Sequence, residues 1–166
     1  MPFPLLVVHG STRVVEVTLP WFASSWAGGK LPLRVTLSHP DVLKLLLEHG
    51  ADPNLHFADG FTALLQLLRR KQGEYMRALT VLLDYGADPN IAHAGTGNTP
   101  LMIATLDLNV DLVKLLLEHG ADVTQVDREG KSVLDMLGRT RKYGEVRELC
   151  TQYIERNLPG AKLLLK

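Results

Sequence analysis

The chain has 166 residues, of which 46% are hydrophobic and 22% are charged, as is typical of a globular protein with a buried core. Eighteen basic side chains balance eighteen acidic ones, which argues against binding to nucleic acid or an anionic membrane through bulk charge. The single cysteine, Cys150, excludes an intrachain disulfide and a cysteine-based metal cage. We therefore expect a cytoplasmic or nuclear protein that needs no cofactor or metal and has no membrane or nucleic-acid partner.

Residues 1–30 contain both tryptophans of the chain and end near the pair Gly28-Gly29. The apolar stretch from Leu19 to Trp26 predicts a short helix within an irregular N-terminal cap, because the apolar segment that follows at residues 42–47 needs a cover. Two other interpretations stay open: a repeat array excerpted from a longer protein, and a surface for a partner.

The phrase KLLLEHGAD occurs twice in the chain, and a divergent copy lies between the two occurrences. Gly50, Gly86 and Gly120 fix the register of the three copies, in steps of 36 and 34 residues. Self-similarity at this period indicates an array of one repeated supersecondary unit. The segment before each glycine is apolar on more than one face, which predicts a helix packed between neighbours and closed by the glycine.

A second, shorter helix is predicted upstream of the later copies. Thr62, Thr99 and Ser132 each precede a short apolar segment, and hydroxyl side chains at such positions cap the first turn of a helix. Pro100 suits the first helical position. Each unit is therefore predicted to contain a turn, a short helix, a tight turn, an apolar helix, a glycine stop and a loop.

The start TPL at Thr99 and the ending LVKLLLEHGADV resemble the ankyrin repeat. This resemblance implies an all-α ankyrin-repeat solenoid of about four stacked helix-loop-helix units, with hairpin-like fingers projecting at one side. It covers residues 31–157 and leaves a C-terminal tail at 158–166. The units are assigned to residues 31–54, 57–90, 93–124 and 127–157.

Two units depart from the pattern. The second carries extra residues around Gln72 and Gly73, which predicts a longer first helix or a protruding loop. The fourth lacks the Gly-Ala-Asp ending, and its last helix is apolar on one face only, as a terminal repeat requires.

The resemblance also implies a function, because ankyrin repeats commonly bind proteins through finger tips and the exposed end of each first helix. Carried over by position, the finger contacts are Phe57, Asp59, Phe61, His93, Thr96, Asn98, Arg128, Glu129 and Lys131. The helix contacts are Gln66, Arg69, Arg70, Leu106, Asp107, Arg139 and Thr140. We expect a monomeric, non-enzymatic protein-binding module. The alternative is a structural or regulatory ankyrin segment of a larger protein whose activity lies elsewhere.

Several of these side chains have a second interpretation. Phe57 and Phe61 either anchor a partner or brace the finger turn. The basic clusters at residues 69–71 and 139–142 are either solvated helix ends or part of a groove that recognises an acidic peptide. The six histidines show no metal-ligand spacing, and Cys150 is expected to be a packed thiol.

The resemblance finally implies a modification. Ankyrin-repeat proteins are substrates of asparagine hydroxylation at the residue that ends the GAD-x-N loop, and Asn54 and Asn90 match this position. Thr124 breaks the pattern in the third copy. The alternative is that these asparagines only satisfy backbone groups of the loop.

Overall fold

The computed structural model describes residues 33, 36–71, 74–138 and 143–158. Within these ranges the chain forms seven helices, α1 (Pro40–Glu48), α2 (Ala63–Arg70), α3 (Tyr75–Asp84), α4 (Pro100–Leu106), α5 (Val110–Glu118), α6 (Val133–Leu137) and α7 (Gly144–Asn157). Within these ranges the β-pairing is one isolated antiparallel bridge between Val126 and Ser132. The predicted cap at residues 1–30, the predicted loop at Gln72 and Gly73, Arg139 and Thr140, and the tail from residue 159 lie outside the described residues.

The helices pack in two layers. In one layer α2 contacts α4 and α4 contacts α6, while in the other α1 contacts α3 and α5 contacts α7. Between the layers α2 packs on α3, α4 on α5 and α6 on α7. The all-α, stacked helix-loop-helix architecture is therefore confirmed. The unit boundaries stay a prediction, and every helix falls inside one of them.

Local side-chain chemistry starts the first helix of each complete unit. The hydroxyls of Thr62, Thr99 and Ser132 accept hydrogen bonds from the amide three residues later, at 3.4, 3.2 and 3.3 Å. Pro100 occupies the start of α4 and Pro40 that of α1, where the missing amide proton has no helical partner to lose.

Glycine ends the second helix of three units. Gly50, Gly86 and Gly120 have φ of +85°, +85° and +82°, a left-handed conformation that glycine adopts without steric cost. The ring Nδ1 atoms of His49 and His119 lie 2.8 and 2.9 Å from the carbonyl oxygen four residues earlier. These histidines therefore cap helix ends, which is the structural role the sequence predicts for them.

Among the described residues, two positions other than glycine have a positive φ, Lys71 at the end of α2 with +47° and Leu108. Leu108, between α4 and α5, has φ +56°. Its half-buried side chain packs against the core, and this contact offsets the conformational strain. The next residue, Asn109, caps α5 by accepting a hydrogen bond from the amide of Leu112 at 3.1 Å.

The core is a continuous band of apolar side chains from both layers, including Leu64 and Leu101 of one layer and Leu82 and Leu116 of the other. The last helix, α7, buries Cys150 among these apolar side chains. Desolvation raises the pKa of the Cys150 thiol from 9.0 to about 11. The thiol is therefore packed and protonated at neutral pH, as the sequence indicates.

Candidate protein-binding surface

Three hairpin-like loops precede the first helices, and we term them finger 1 (residues 57–61), finger 2 (93–98) and finger 3 (127–131). In each finger the first amide donates to the carbonyl oxygen of the last residue, at 2.8, 2.9 and 3.0 Å. A glycine amide then donates back to the first carbonyl oxygen at 3.0, 2.8 and 3.1 Å. Finger 2 has six residues where the others have five, so its tip is the longest.

Fingers 2 and 3 touch through their backbones. The amide of Arg128 donates to the carbonyl oxygen of Thr96 at 3.3 Å, and the Arg128 guanidinium donates to the carbonyl oxygen of Ala94. Gly97 has φ +76°, and a Cβ atom there would lie 2.8 Å from the Arg128 nitrogen. Only glycine fits this contact without displacing finger 3.

A cleft of about 430 Å³ opens beside this contact, between fingers 2 and 3 and the end of α4. We term it the finger cleft. Six residues that the sequence assigns to partner contacts line it: Thr96, Asn98, Leu106, Arg128, Glu129 and Lys131. Leu106 is 49% exposed and is one of two large hydrophobic side chains exposed in the part of the chain that the structure describes. The half-buried Met136 adds a second apolar wall.

The charges of finger 3 largely balance one another. Lys131 Nζ lies 2.7 Å from Glu129 Oε2, and its hydrogen bond to Glu129 raises the pKa of Lys131 above its ordinary value. Asp127 Oδ1 accepts the backbone amides of Glu129 and Lys131 at 2.8 and 2.9 Å. The cleft therefore has an apolar wall and a polar, nearly neutral rim.

A second group of predicted residues meets at finger 1, and we term Phe61, His93 and Arg69 the stacked cluster. The Phe61 and His93 ring centroids are 4.2 Å apart, and Arg69 Cζ lies 4.9 Å from the Phe61 centroid. Arg69 Nε donates to Gln66 Oε1 at 3.1 Å. His93 Nδ1 is 3.2 Å from Thr96 Oγ1, so the cluster continues into the finger cleft.

Two predicted contact residues do not reach the surface. Phe57 is 6% exposed and Gln66 is 0% exposed, so neither side chain is available to a partner in this structure. Phe57 starts finger 1 and packs inward on the core, bracing the turn, and Gln66 lies on a covered face of α2. The predicted direct contacts of these two side chains are corrected accordingly.

The remaining predicted residues lie beside the two groups, and Asp59 Oδ1 accepts the backbone amide of Phe61 at 3.4 Å. Asp59 and Arg70 are exposed. Asp107 is also exposed, but its Oδ2 lies 2.6 Å from Lys71 Nζ, which links α4 to the end of α2. The sequence analysis places Lys71 in the basic cluster at residues 69–71, but nothing in the repeat pattern marks it as the partner of Asp107.

The loops that follow the second helices carry Asn54 and Asn90, three residues before fingers 1 and 2 begin. The Nδ2 atom of each donates to the carbonyl oxygen of the helix-closing glycine in the next unit, at 3.0 and 3.1 Å. Each Oδ1 accepts the amide of the aspartate that follows that glycine, at 2.7 Å. We term these contacts the asparagine bridges. They satisfy loop backbone groups, as the alternative interpretation predicts, but the groups belong to the next unit. Hydroxylation of these asparagines stays a prediction.

The comparison with known families follows from this repeated geometry. A family described as ankyrin repeats (3 copies) matches residues 33–127 and again residues 68–158, together well over half of the chain. The chain belongs to the ankyrin-repeat family. It is also similar to Protein PhlB from Serratia liquefaciens, with 36% identity over 108 residues. Those residues make up 65% of this chain and 46% of that protein, so the matched part spans about half of the relative.

Ankyrin repeats are in general protein-interaction modules, and the family is in general non-enzymatic. Within the ranges the structure describes, this ankyrin-repeat protein shows no group of three or more histidine, cysteine or acidic side chains placed to hold a metal. None of its described helices combines the length and apolar character needed to cross a bilayer.

Proposed function

We propose that this ankyrin-repeat protein binds another protein through its fingers and the exposed ends of α2 and α4, without catalysing a reaction. The finger cleft carries the proposal, because six contact residues that the family resemblance predicts line one cavity. An exposed leucine beside a polar rim suits an apolar side chain of a partner, since interfaces combine a desolvated apolar centre with a polar periphery.

The electrostatics of the cleft favour recognition over catalysis. Its charged side chains are exposed and are bound to one another or to backbone groups. Catalytic acids and bases usually depend on burial or on unpaired neighbours to shift their pKa values. Lys131 instead holds its proton more firmly because Glu129 accepts it in a hydrogen bond.

Other properties stay predictions. We propose a monomer located in the cytoplasm or the nucleus, with no nucleic-acid partner. Ankyrin-repeat proteins are commonly intracellular, which agrees with the location. The alternative of a structural or regulatory segment has no contact or charge in the described residues that favours it.

Site-specific photo-cross-linking tests the proposal. A benzophenone amino acid replaces Glu129, which is exposed at the tip of finger 3, and in a matched sample replaces Glu155, which is exposed on α7. After irradiation in an extract of the native cells, we expect a covalent adduct with a partner protein from position 129 and none from position 155.

A second variant shows whether the adduct depends on the cleft. Leu106→Ser in the Glu129-labelled protein should abolish the adduct, because it removes the apolar wall that we expect the partner to cover. Equal adducts at both positions, or an adduct that survives Leu106→Ser in a folded protein, would overturn the proposal. Circular dichroism verifies that the variant is folded.

A further inference from the structure

This inference rests on the proposed function and specifies the partner. We infer that the stacked cluster and the finger cleft together bind an extended peptide in which an acidic and an apolar side chain are about three residues apart. The carboxylate binds Arg69 in the stacked cluster, and the apolar side chain enters the finger cleft beside Leu106 and Met136.

Arg69 is held ready for a carboxylate. The Phe61 ring supports the guanidinium at 4.9 Å, and Gln66 Oε1 accepts its Nε proton at 3.1 Å. The remaining Nη groups form a planar fork on an exposed side chain, and a carboxylate binds such a fork through two parallel hydrogen bonds. A guanidinium fixed in advance loses less conformational entropy when it binds.

Gln66 supports this interpretation through a defect that the fold does not require. Its Nε2 atom is buried and has no hydrogen-bond partner in the structure, an unfavourable state for an amide donor. The orientation is fixed because Arg69 Nε can only donate, so the glutamine oxygen must face it. A leucine would fill this buried site without an unsatisfied group. Gln66 is therefore a positioning residue for Arg69.

Leu106 marks the apolar subsite one repeat further along. It lies seven residues after its capping threonine, Thr99, as Arg69 lies seven residues after Thr62. Their helices α2 and α4 pack directly on each other. Packed helices are roughly 8–10 Å apart, and an extended peptide advances about 3.3 Å per residue. Three peptide residues therefore cover the step from Arg69 to Leu106.

The charge around Arg69 favours an acidic side chain of the peptide at that position. Arg69 and Arg70 at the end of α2 form no ion pair with an acidic side chain of the described ranges. Lys71 and Lys131 are neutralised by the nearby Asp107 and Glu129. The carboxylate of Asp59, whose Oδ1 accepts the Phe61 amide at 3.4 Å, opposes one of the two arginine charges. The net charge near the stacked cluster is therefore positive.

A random 12-residue peptide library displayed on phage, panned against the full chain, is the first test. We expect enriched peptides to carry Asp or Glu three positions from Leu, Met, Ile or Phe. A synthetic peptide of the most enriched sequence then gives affinities by fluorescence polarisation. Arg69→Lys keeps the charge but loses the planar fork, and should weaken binding roughly tenfold.

Matched variants separate the two subsites. Leu106→Ser should reduce the apolar preference and leave the acidic one, and Arg69→Lys should do the reverse. Arg156→Lys makes the same chemical change on α7, away from the fingers, and should leave affinity unchanged. Gln66→Leu should raise the melting temperature while weakening the acidic preference several-fold, whereas a purely structural glutamine would leave selectivity unaltered.

The outcomes separate the two claims. Enriched peptides that bind in a Leu106-dependent way but lack the acidic and apolar pair would overturn this inference and leave the proposed function standing. Binding that Arg69→Lys does not weaken would also overturn it. If no peptide is enriched, the inference is wrong, and the cross-linking experiment decides the proposed function separately.

Discussion

Two sets of loops join neighbouring units in different ways. In the glycine-stop loops, the asparagine bridges repeat almost unchanged, with distances of 3.0 and 2.7 Å at the first junction and 3.1 and 2.7 Å at the second. Among the finger loops, fingers 1 and 2 meet through stacked rings, while fingers 2 and 3 meet through backbone hydrogen bonds. Uniform contacts hold the units in register, and varied contacts leave the finger side chains free to differ.

The sequence shows the same contrast. The glycine-stop segment KLLLEHGAD is identical in two units, whereas the fingers share little beyond the glycine that turns each of them. The contrast predicts that substitutions in the shared framework affect stability most, and that substitutions of exposed finger residues affect binding most.

The largest expected effect is in the helices that carry both sets of loops. Leu116 in α5 is fully buried, and Leu116→Ala should reduce the free energy of unfolding by roughly 2–5 kcal/mol through lost contacts and a cavity. Urea denaturation followed by circular dichroism measures it. The half-buried neighbour gives a control, because Leu115→Ala should cost clearly less. Equal costs would contradict the two-layer packing.

The next effect concerns the close approach of fingers 2 and 3. Gly97→Ala adds a Cβ atom in a left-handed conformation and against the Arg128 backbone, so we expect a loss of roughly 2–4 kcal/mol from strain and overpacking. Gly130→Ala has the same φ sign but meets no atom within 4 Å, so it should cost only about 1 kcal/mol. Thermal unfolding of both variants checks the difference, and a cost at Gly97 no greater than at Gly130 would mean that the fingers do not touch.

In the glycine-stop loops, Asn90→Ala removes both hydrogen bonds of one asparagine bridge. The expected loss is roughly 1–3 kcal/mol, because the backbone groups of the next unit lose their partners. Thr124 is the matched position in the third unit, and within the described ranges its hydroxyl donates to Asp122 of its own loop, at 2.7 Å. Thr124→Ala should therefore cost less in the same urea titration. Equal losses would show that the bridges add nothing between units.

The smallest effect on stability is expected on the exposed finger side. Leu106→Ser should change the free energy of unfolding by less than about 0.5 kcal/mol, because half of the side chain already faces solvent. The same urea titration measures it beside Leu116→Ala. A loss above 1 kcal/mol would place Leu106 in the framework and weaken the contrast between the glycine-stop loops and the fingers.

Much of the fold follows from local chemistry and was predictable. Helices begin at Thr62, Thr99 and Ser132 because each hydroxyl accepts a hydrogen bond from an amide of the first helical turn. Helices end at Gly50 and its equivalents because other residues disfavour a positive φ. The repeat period then fixes how these helices stack. These features need no knowledge of which neighbour covers which face.

The site was predictable only in outline. Family positions gave most residues of the finger cleft, but they placed Phe57 and Gln66 on the surface, where the structure buries both. Their burial depends on neighbours that a single repeat does not reveal. The contact of Arg128 with finger 2 depends on the extra residue of that finger and on a glycine at position 97, which only the packed structure brings together.

The unsatisfied amide of Gln66 has a practical consequence for anyone who engineers this chain. A screen that selects for thermal stability alone would favour Leu or Met at position 66, since either fills the space without leaving a buried hydrogen-bond donor unsatisfied. The resulting protein would be more stable, yet the Arg69 guanidinium would lose its hydrogen bond to residue 66. It would then be less well positioned and would distinguish poorly between ligands. Thermostabilisation campaigns on this scaffold should therefore keep position 66 fixed.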